Sequence, residues 1–325
     1  MVGGGYSGVA AAVQLLRASE TVAVSIFEPR EDLGRGVAYS TPDPEHRLNG
    51  PVDNHLIDPN RPFELAQWCE RHAILRRDPE ALAANGAVYI RRHDFGTYAG
   101  DVIGGFGTRI RHHRSLAIGL RMTAGQVEVR AADMQILPAD VVVIATGNTT
   151  SALPKVFDAV RNHPSVLQDP FDLARLRSLG RGARVLLVGG GLTALDVMAT
   201  LLGSGHRGKI TAISRHGVRP RPPRSNMKDA SVQALLERIE GNVPPFVQSS
   251  LAGGVRALVA ALRERIAEVR KAGGDWQVPF DDVRNSVWRF WPRLPLEEKR
   301  RFLRHLRVWY DAHRFRAPPQ NDAIV

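Results

Sequence analysis

Cysteine is almost absent from this sequence of 325 residues, which contains only one, Cys69. A single cysteine excludes a disulfide framework, and it also excludes a Cys-x-x-Cys centre for thiol-disulfide exchange. Cys69 lies in a helical pattern that runs from Pro62 to His72. We therefore predict that its thiol is buried and has a structural role.

Acidic residues are fewer than basic ones. The chain contains 33 Asp and Glu and 44 Lys and Arg, which gives a formal net charge of +11. Such an excess can indicate a nucleic acid or a membrane surface as partner. However, aromatic residues make up only 6% of the chain, and they are not interleaved with the basic ones. We find no nucleic-acid motif and expect no nucleic-acid partner. We assign the charge to an arginine-rich composition and to sites for anionic ligands.

The sequence shows no apolar run of membrane-spanning length and no secretory signal. We therefore expect no membrane span and a cytoplasmic protein. A hydrophobic content of 43% and a charged content of 24% are typical of soluble globular chains, and the length allows two domains. The adjacent His112 and His113 have no flanking Cys or carboxylate, so we predict no metal site. We interpret the stretch Arg111 to Arg114 as a solvated basic face.

The clearest motif is a glycine turn, Gly-x-Gly-x-x-Ala, between an apolar strand over 185–188 and an apolar helix that ends near Leu202. Gly189 permits the tight turn, Gly191 lets the backbone approach a pyrophosphate, and the small Ala194 lets the helix pack on the strand. The pyrophosphate would lie at the helix N-terminus, where N–H groups are free to bind it. That N-terminus consists of Leu192, Thr193 and Ala194.

The same device opens the chain, where Gly3, Gly5 and Gly8 form Gly-x-Gly-x-x-Gly with Tyr6 and Ser7 between them. An apolar helix follows, and then an apolar run that ends at Glu28. An acid at this position hydrogen-bonds a ribose hydroxyl in dinucleotide sites. The first turn therefore favours a nucleotide with a free 2′-hydroxyl.

The two turns differ at the ribose position. Ser214 stands as far from Gly189 as Glu28 stands from Gly3, and Arg215 follows it. A hydroxyl and a guanidinium suit a 2′-phosphate better than a 2′-hydroxyl. The alternative is two ordinary strand–turn–helix units that bind no nucleotide, although both turns have the flanking strand and helix that the motif requires.

The rest of the chain gives weaker signals. We predict two short strands over 116–121 and 126–130, and a buried strand over 139–148 that ends in Ala145-Thr146-Gly147. Prolines over 148–170 indicate a crossing between domains. Beyond Arg215 we predict amphipathic helices over 231–240 and 254–272, with an apolar stripe of Leu258, Leu262, Ile266 and Val269 that we assign to the core. A basic helix over 296–309 is predicted next.

Six parts of the chain together resemble the bacterial FAD-NAD(P)-binding oxidoreductases. They are the two glycine turns, the Gly34–Thr41 loop with Leu48-Asn49, the run Ile144 to Gly147, Ser214-Arg215 and the segment His313 to Arg316. More distantly, the chain resembles flavin-dependent monooxygenases that use NADPH. The resemblance implies an α/β fold of two Rossmann-like dinucleotide-binding domains in three layers, with a helical segment after the second. Residues 1–165 would bind FAD and residues 166–325 would bind NAD(P).

The resemblance implies that FAD lies at the first turn and Glu28, with Arg35, Asn49 and His55 as candidate polar groups near the flavin. NADPH, favoured over NADH, lies at the second turn with Ser214 and Arg215, and Thr146-Gly147 form the crossover between domains. The implied activity is hydride transfer from NADPH to flavin, for an unidentified small-molecule substrate and without a catalytic triad.

Such oxidoreductases usually have a full first strand and continue beyond the His-Arg-x-Arg segment, whereas only Met1 and Val2 precede Gly3 here. We therefore expect weakened FAD binding in this chain. The alternative function is a catalytically impaired nucleotide-binding sensor or interaction module.

Overall fold

The computed structural model describes residues 1–123, 125–148, 152–227 and 243–325, so the helix predicted over 231–240 lies outside the described residues. Two compact units are distinguished. The first consists of Met1–Leu48, His55–Pro79 and Ile90–Leu176, and the second of Asn49–Asn54, Glu80–Tyr89 and Arg177–Val325. The domain limits expected from the sequence, 1–165 and 166–325, remain predictions.

Helices and strands together give the α/β class that the sequence predicts. The strands are β1 (Val24–Phe27), β2 (Ile110–His113), β3 (Ala117–Thr123), β4 (Gln126–Ala131), β5 (Ile136–Ala139), β6 (Val185–Val188) and β7 (Ile210–Ile213). The helices are α1 (Tyr6–Ala18), α2 (Gly36–Tyr39), α3 (Glu64–Arg71), α4 (Ile74–Arg77), α5 (Arg92–Gly104), α6 (Leu173–Arg177), α7 (Leu192–Gly203), α8 (Pro245–Ser250), α9 (Gly254–Lys271), α10 (Gln277–Phe290), α11 (Leu296–His305), α12 (Arg307–Arg314) and α13 (Pro319–Asp322).

The first unit contains a parallel sheet in which β1 pairs with β2 in the register Val24 to Ile110. On its other side β1 meets Val2, which forms parallel bridges to both Phe27 and Ile144. The N–H of Val2 donates to the carbonyl of Val143 at 2.9 Å. Val2 therefore lies between the backbone at Phe27 and the backbone at Ile144, and the first glycine turn begins directly after it.

Helix α1 packs on this sheet through an apolar stripe. Its buried positions, Val9, Ala12, Val13 and Leu16, recur at intervals of three and four residues and lie on one face of the helix. Fully burying a large aliphatic side chain contributes about 1.5–3 kcal/mol, so this face is sufficient to hold the helix in place. Cys69 of α3 is buried as predicted, with an exposed fraction of 9%.

A second sheet of the first unit is antiparallel, in the order β3-β4-β5. The β3–β4 hairpin agrees with the two short strands predicted from the sequence. Val129 and Ala131 of β4 are buried against Phe27 of β1, so the hairpin packs on the parallel sheet.

In the second unit β6 and β7 are parallel, with Val185 paired to Ile210, and α7 follows β6. The C-terminal part is helical. Val247, Val255, Val283, Phe290 and Leu294 form its apolar core. By length and composition alone, the helical stretch Pro245–Lys271 could cross a membrane, which is weak support for a membrane segment because a core helix passes the same test.

Three local predictions were wrong in whole or in part. The stretch 139–148 is not a buried strand, because beyond the end of β5 its only ladder contact is the bridge at Ile144, which is 64% exposed. Arg111 and Arg114 are exposed, as the predicted solvated basic face requires, but the stretch lies mainly in β2, and His113 is buried and stacked on Phe27 at 4.7 Å. The basic helix over 296–309 is broken at Leu306, which separates α11 from α12.

Candidate functional site

The first glycine turn depends on the absence of side chains at two positions. Gly3 has φ of +100°, which L side chains rarely adopt, and a Cβ at Gly8 would lie 2.1 Å from the carbonyl oxygen of Gly3. The N–H of Gly3 donates to the carbonyl of Phe27 at 3.0 Å and fixes the turn to the end of β1. These contacts explain why the motif requires glycine at its first and third positions.

Helix α1 begins at Tyr6 with Gly5 as its N-cap, and no side chain caps its free N–H groups. Its first turn contains no acidic residue either. The first N–H groups of a helix have no partner within the helix, and they carry partial positive charge. This 13-residue helix therefore presents an N-terminus whose chemistry suits a pyrophosphate.

Glu28 follows β1 directly and is 4% exposed. Its Oε2 accepts a hydrogen bond from the N–H of Gly4 at 3.0 Å, and its Oε1 accepts from the N–H and the guanidinium of Arg30, each at 3.1 Å. A carboxylate has about four lone-pair positions, so it can hold the glycine turn and still accept from a ribose hydroxyl. The sequence did not reveal the bonds from Gly4 and Arg30, although both residues lie next to motif positions.

The Gly34–Gly36 loop packs against the first turn. The N–H of Gly34 donates to the carbonyl of Gly4 at 2.8 Å, and a Cβ at Gly5 would lie 3.4 Å from the Cα of Gly36. Arg35 lies between these glycines. Its guanidinium pairs with Asp32 at 2.9 Å and donates to the hydroxyl of Thr97 at 3.1 Å and to the carbonyl of His93 at 3.3 Å. The guanidinium thus ties the loop to α5, and its predicted place near the flavin stays a prediction.

Tyr6 belongs to an aromatic cluster with Tyr39 and Phe95, whose ring centroids lie 5.8 and 5.2 Å from its own. Burial, with a smaller contribution from Tyr39, raises the pKa of Tyr6 to about 12, so the phenol stays protonated at neutral pH. Its hydroxyl donates to the carbonyl of Leu56 at 3.3 Å. The His55 ring joins the cluster through Phe95 at 5.3 Å. The next residue, Ser7, is exposed in the first turn of α1.

The second glycine turn repeats the geometry of the first. Gly189 has φ of +127°, and its N–H donates to the carbonyl of Ile213 at the end of β7, at 2.8 Å. Gly191 is the N-cap of α7, again with no side-chain cap and no acid in the first turn of Leu192, Thr193 and Ala194. A Cβ at Gly191 would meet nothing within 4 Å. The space that a pyrophosphate needs is therefore open.

The two ribose positions are equivalent in structure as well as in sequence. A Cβ at Gly4 would lie 2.7 Å from the Cβ of Glu28, and a Cβ at Gly190 would lie 3.4 Å from the Cβ of Ser214. Each middle glycine therefore faces the residue that follows the second strand. Ser214 and Arg215 are exposed, and Arg215 forms no ion pair within the described ranges. Its guanidinium is available to an anionic ligand.

Of the three remaining candidates, Thr146 lies against the first turn, because its Cα is 3.2 Å from a Cβ built on Gly3. Thr146 and Gly147 are both exposed. Asn49 belongs to the second compact unit, and its role beside the flavin stays a prediction. Among the residues that the structure describes, no three His, Cys, Asp or Glu side chains are placed to hold a metal ion.

The family model for FAD-NAD(P)-binding proteins matches residues 1–149. No curated protein matches the chain. Among solved structures, the ornithine hydroxylase PvdA from Pseudomonas aeruginosa is 18% identical with a TM-score of 0.50, over 89% of this chain and 68% of that one. The ornithine N-hydroxylase KtzI from Kutzneria sp. 744, solved with reduced FAD, NADP+ and L-ornithine, is 15% identical with a TM-score of 0.50, over 83% of this chain and 68% of that one.

At such identities the structural likeness concerns the fold alone, and it agrees with the α/β class. The family match bears on the cofactors, since the matched model is described by FAD and NAD(P) binding and covers the first glycine turn, Glu28 and Arg35. The predicted resemblance is confirmed, and the predicted FAD and nicotinamide cofactors agree with the description of the matched model, whereas the preference for NADPH over NADH stays a prediction. Residues 1–149 of the chain are therefore similar to the FAD-NAD(P)-binding family.

Proposed function

We propose that this chain is a flavin-dependent oxidoreductase built on two Rossmann-like units, with FAD at the first glycine turn and NADPH at the second. The observation that carries the proposal is the repeated turn with a different residue at the ribose position. Glu28 faces Gly4 in one turn, and Ser214 faces Gly190 in the other. A carboxylate accepts hydrogen bonds from ribose hydroxyls but repels a 2′-phosphate, so the two turns suit two different dinucleotides.

The residues present fit both groups. Each turn offers an uncapped helix N-terminus, and each lacks a Cβ where a pyrophosphate would approach. Bound FAD would supply the electron-accepting chemistry and NADPH the hydride. The chain's own part is to bind and orient. Helices α1 and α7 hold the pyrophosphates, Glu28 holds a ribose, and the Arg215 guanidinium neutralises the 2′-phosphate.

A second candidate function is a nucleotide-binding module without turnover. It is favoured by Glu28, whose carboxylate already bonds the backbone of Gly4 and Arg30 and so holds the first turn without a nucleotide. Both functions require nucleotide binding. They differ in whether electrons pass from one nucleotide to the other.

The test is an absorption spectrum of the purified protein, saturated with FAD and freed of unbound flavin, followed by anaerobic titration with NADPH. An oxidoreductase retains a flavin spectrum that NADPH bleaches with about one equivalent. Oxygen uptake and peroxide formation after readmission of air then separate a monooxygenase-like reaction from reduction of an organic acceptor. Bound flavin that NADPH leaves oxidised supports the module without turnover, and failure to bind either FAD or NADPH contradicts both functions.

Replacing Arg215 with Ala should weaken NADPH binding about tenfold to a hundredfold and leave NADH binding nearly unchanged. Hydrogen bonds to charged groups are worth about 1.5–3 kcal/mol each, and only NADPH has the 2′-phosphate that this guanidinium would contact. The measurement is isothermal titration with both cofactors. The control is Arg270→Ala on α9, which removes another exposed arginine of the second unit. Equal affinity of the parent protein for NADPH and NADH would rule out the assignment.

A further inference from the structure

The helical part of the second unit contains a cavity of about 790 Å³ between α9, α10, α11 and α12. This volume lies within the range of small-molecule sites, which span roughly 300–1,000 Å³. The cavity is formed by residues away from both glycine turns. It needs an explanation of its own, because protein interiors are otherwise packed with few voids larger than a water molecule.

One wall of the cavity contains most of the apolar stripe that the sequence assigns to the core. Leu258, Leu262 and Ile266 of α9 line the cavity, as does Val255 one turn before them, whereas Val269 of the predicted stripe does not. At a rise of 1.5 Å per residue, the distance from Val255 to Ile266 is about 16 Å. Leu258 and Leu262 also pack against the apolar core of the helical part, in agreement with the core assignment, and both are half-buried. The stripe is therefore part of that core and also a wall of the cavity.

The opposite walls are aromatic. Phe280 and Phe290 of α10, Phe302 of α11 and Trp309 of α12 all line the cavity. The cavity is partly open to solvent, and its aliphatic and aromatic walls favour the apolar part of a ligand. The cavity thus suits a hydrocarbon chain.

The charged groups of the cavity share one sign. Arg263 and Arg314 line it together with His313, and its lining contains no Asp or Glu within the described part of the chain. The hydroxyl of Tyr310 has almost no accessible surface, so a ligand in the cavity does not reach it. Arg263 and Arg314 are exposed residues, so the guanidinium of Arg314 offers a cation to an anionic group at the rim of the cavity.

We propose that this cavity binds a free amphiphile with one aliphatic chain and a carboxylate head. The chain lies along the α9 stripe, and the carboxylate lies at Arg314. An isolated carboxylate is costly to bury, and a guanidinium at the exposed rim offsets that cost by a charge-assisted contact. The proposal is independent of the glycine turns, so it stands or falls separately from the proposed oxidoreductase activity.

The test uses cis-parinarate, a fluorescent carboxylate with a single chain, at concentrations at which it is monomeric. Trp276, Trp291 and Trp309 line the cavity, so energy transfer from tryptophan reports occupancy directly. We expect saturable transfer with one equivalent bound. Dodecanoate should displace the probe at a concentration at least tenfold lower than dodecanol, because only the carboxylate can use Arg314.

Variants locate the site. Val259→Phe fills the cavity and should reduce probe binding at least tenfold, while circular dichroism verifies that the helices are retained. Arg314→Leu should leave the affinity for dodecanol unchanged and lower the affinity for dodecanoate to the same value, whereas Arg314→Lys should retain the preference for dodecanoate. The control is Arg300→Leu, an exposed position of α11 outside the cavity lining. Should Val259→Phe fold and bind the probe as the parent does, the cavity is not the site.

Two further outcomes overturn the proposal. Phosphatidylglycerol vesicles that sediment the protein, without uptake of monomeric probe, would assign the apolar wall to a membrane surface. A dimer in analytical ultracentrifugation that excludes the probe and is dissociated by Val259→Arg would assign the wall to a second copy of the chain. Equal displacement by dodecanoate and dodecanol would overturn the carboxylate head.

Discussion

Replacing Gly191 with Val is expected to weaken NADPH binding by a factor of about a hundred or more while the protein stays folded. A valine side chain would occupy the place from which a pyrophosphate approaches the N-terminus of α7. Loss of hydrogen bonds from two N–H groups to a phosphate, at about 1.5–3 kcal/mol each, corresponds to a factor of this size. Isothermal titration with NADPH gives the affinity, and far-ultraviolet circular dichroism gives the fold.

The structure indicates that this variant tests nucleotide binding without disturbing the fold. A Cβ at Gly191 would meet no atom within 4 Å, so the substitution creates no clash in the protein itself. Its backbone angles of −86° and −171° are extended and open to any residue. The expected cost to stability is about 1 kcal/mol, since valine is a poorer N-cap than glycine.

The matched control is Gly182→Val in the same unit. Gly182 also has no atom within 4 Å of its would-be Cβ and no positive φ, but it precedes β6 and lies outside the turn. This variant should bind NADPH like the parent protein. If a folded Gly191→Val variant also retains the parent affinity, the pyrophosphate does not bind at α7.

The parts of the site that the sequence predicts well are local in the chain. Both turns, their helices and the residue that faces each middle glycine lie within one strand–turn–helix–strand unit, so spacing alone determines which residues meet. The packing of Glu28 on Gly4 and of Ser214 on Gly190 follows from this local geometry. The helices α3 and α9 were predicted for the same reason, since their apolar periodicity is local.

The parts that could not be predicted depend on distant partners. Ile110–His113 is a strand because β1 lies beside it, and no signal within Arg111 to Arg114 indicates that neighbour. Arg35 is held by His93 and Thr97, which lie 58 and 62 residues further along the chain. Periodicity gave the apolar face of α9 correctly, but whether that face meets side chains or open space depends on how α10, α11 and α12 are placed.

The segment His313 to Arg316, which contributes to the family resemblance, provides the other prediction with a large expected effect. Arg316 is 9% exposed and makes a bidentate pair with Asp281 at 2.6 and 3.1 Å. Asp281 is 2% exposed, and Arg284 at 3.4 Å and Arg224 at 3.9 Å also approach its carboxylate. One buried acid therefore serves three arginines.

Replacing Asp281 with Ala should lower the free energy of unfolding by about 3–5 kcal/mol, as expected when one member of a buried ion pair is removed. The guanidinium of Arg316 would stay buried without its partner. Arg284 would be affected as well, because burial already lowers its pKa and Asp281 is the main group acting in the opposite direction. Urea denaturation followed by tryptophan fluorescence measures the change.

The control is Asp311→Ala, which removes the acid of an exposed pair with Arg307 at 3.4 Å and should cost less than about 1 kcal/mol. A double variant, Asp281→Leu with Arg316→Met, separates charge from packing. It removes the buried pair as a whole, so it should be more stable than Asp281→Ala even though it contains an additional substitution. If Asp281→Ala lowers the free energy of unfolding no more than Asp311→Ala does, the three arginines are hydrated in solution. The buried ion pair would then not explain the resemblance of the His-Arg-x-Arg segment to the family.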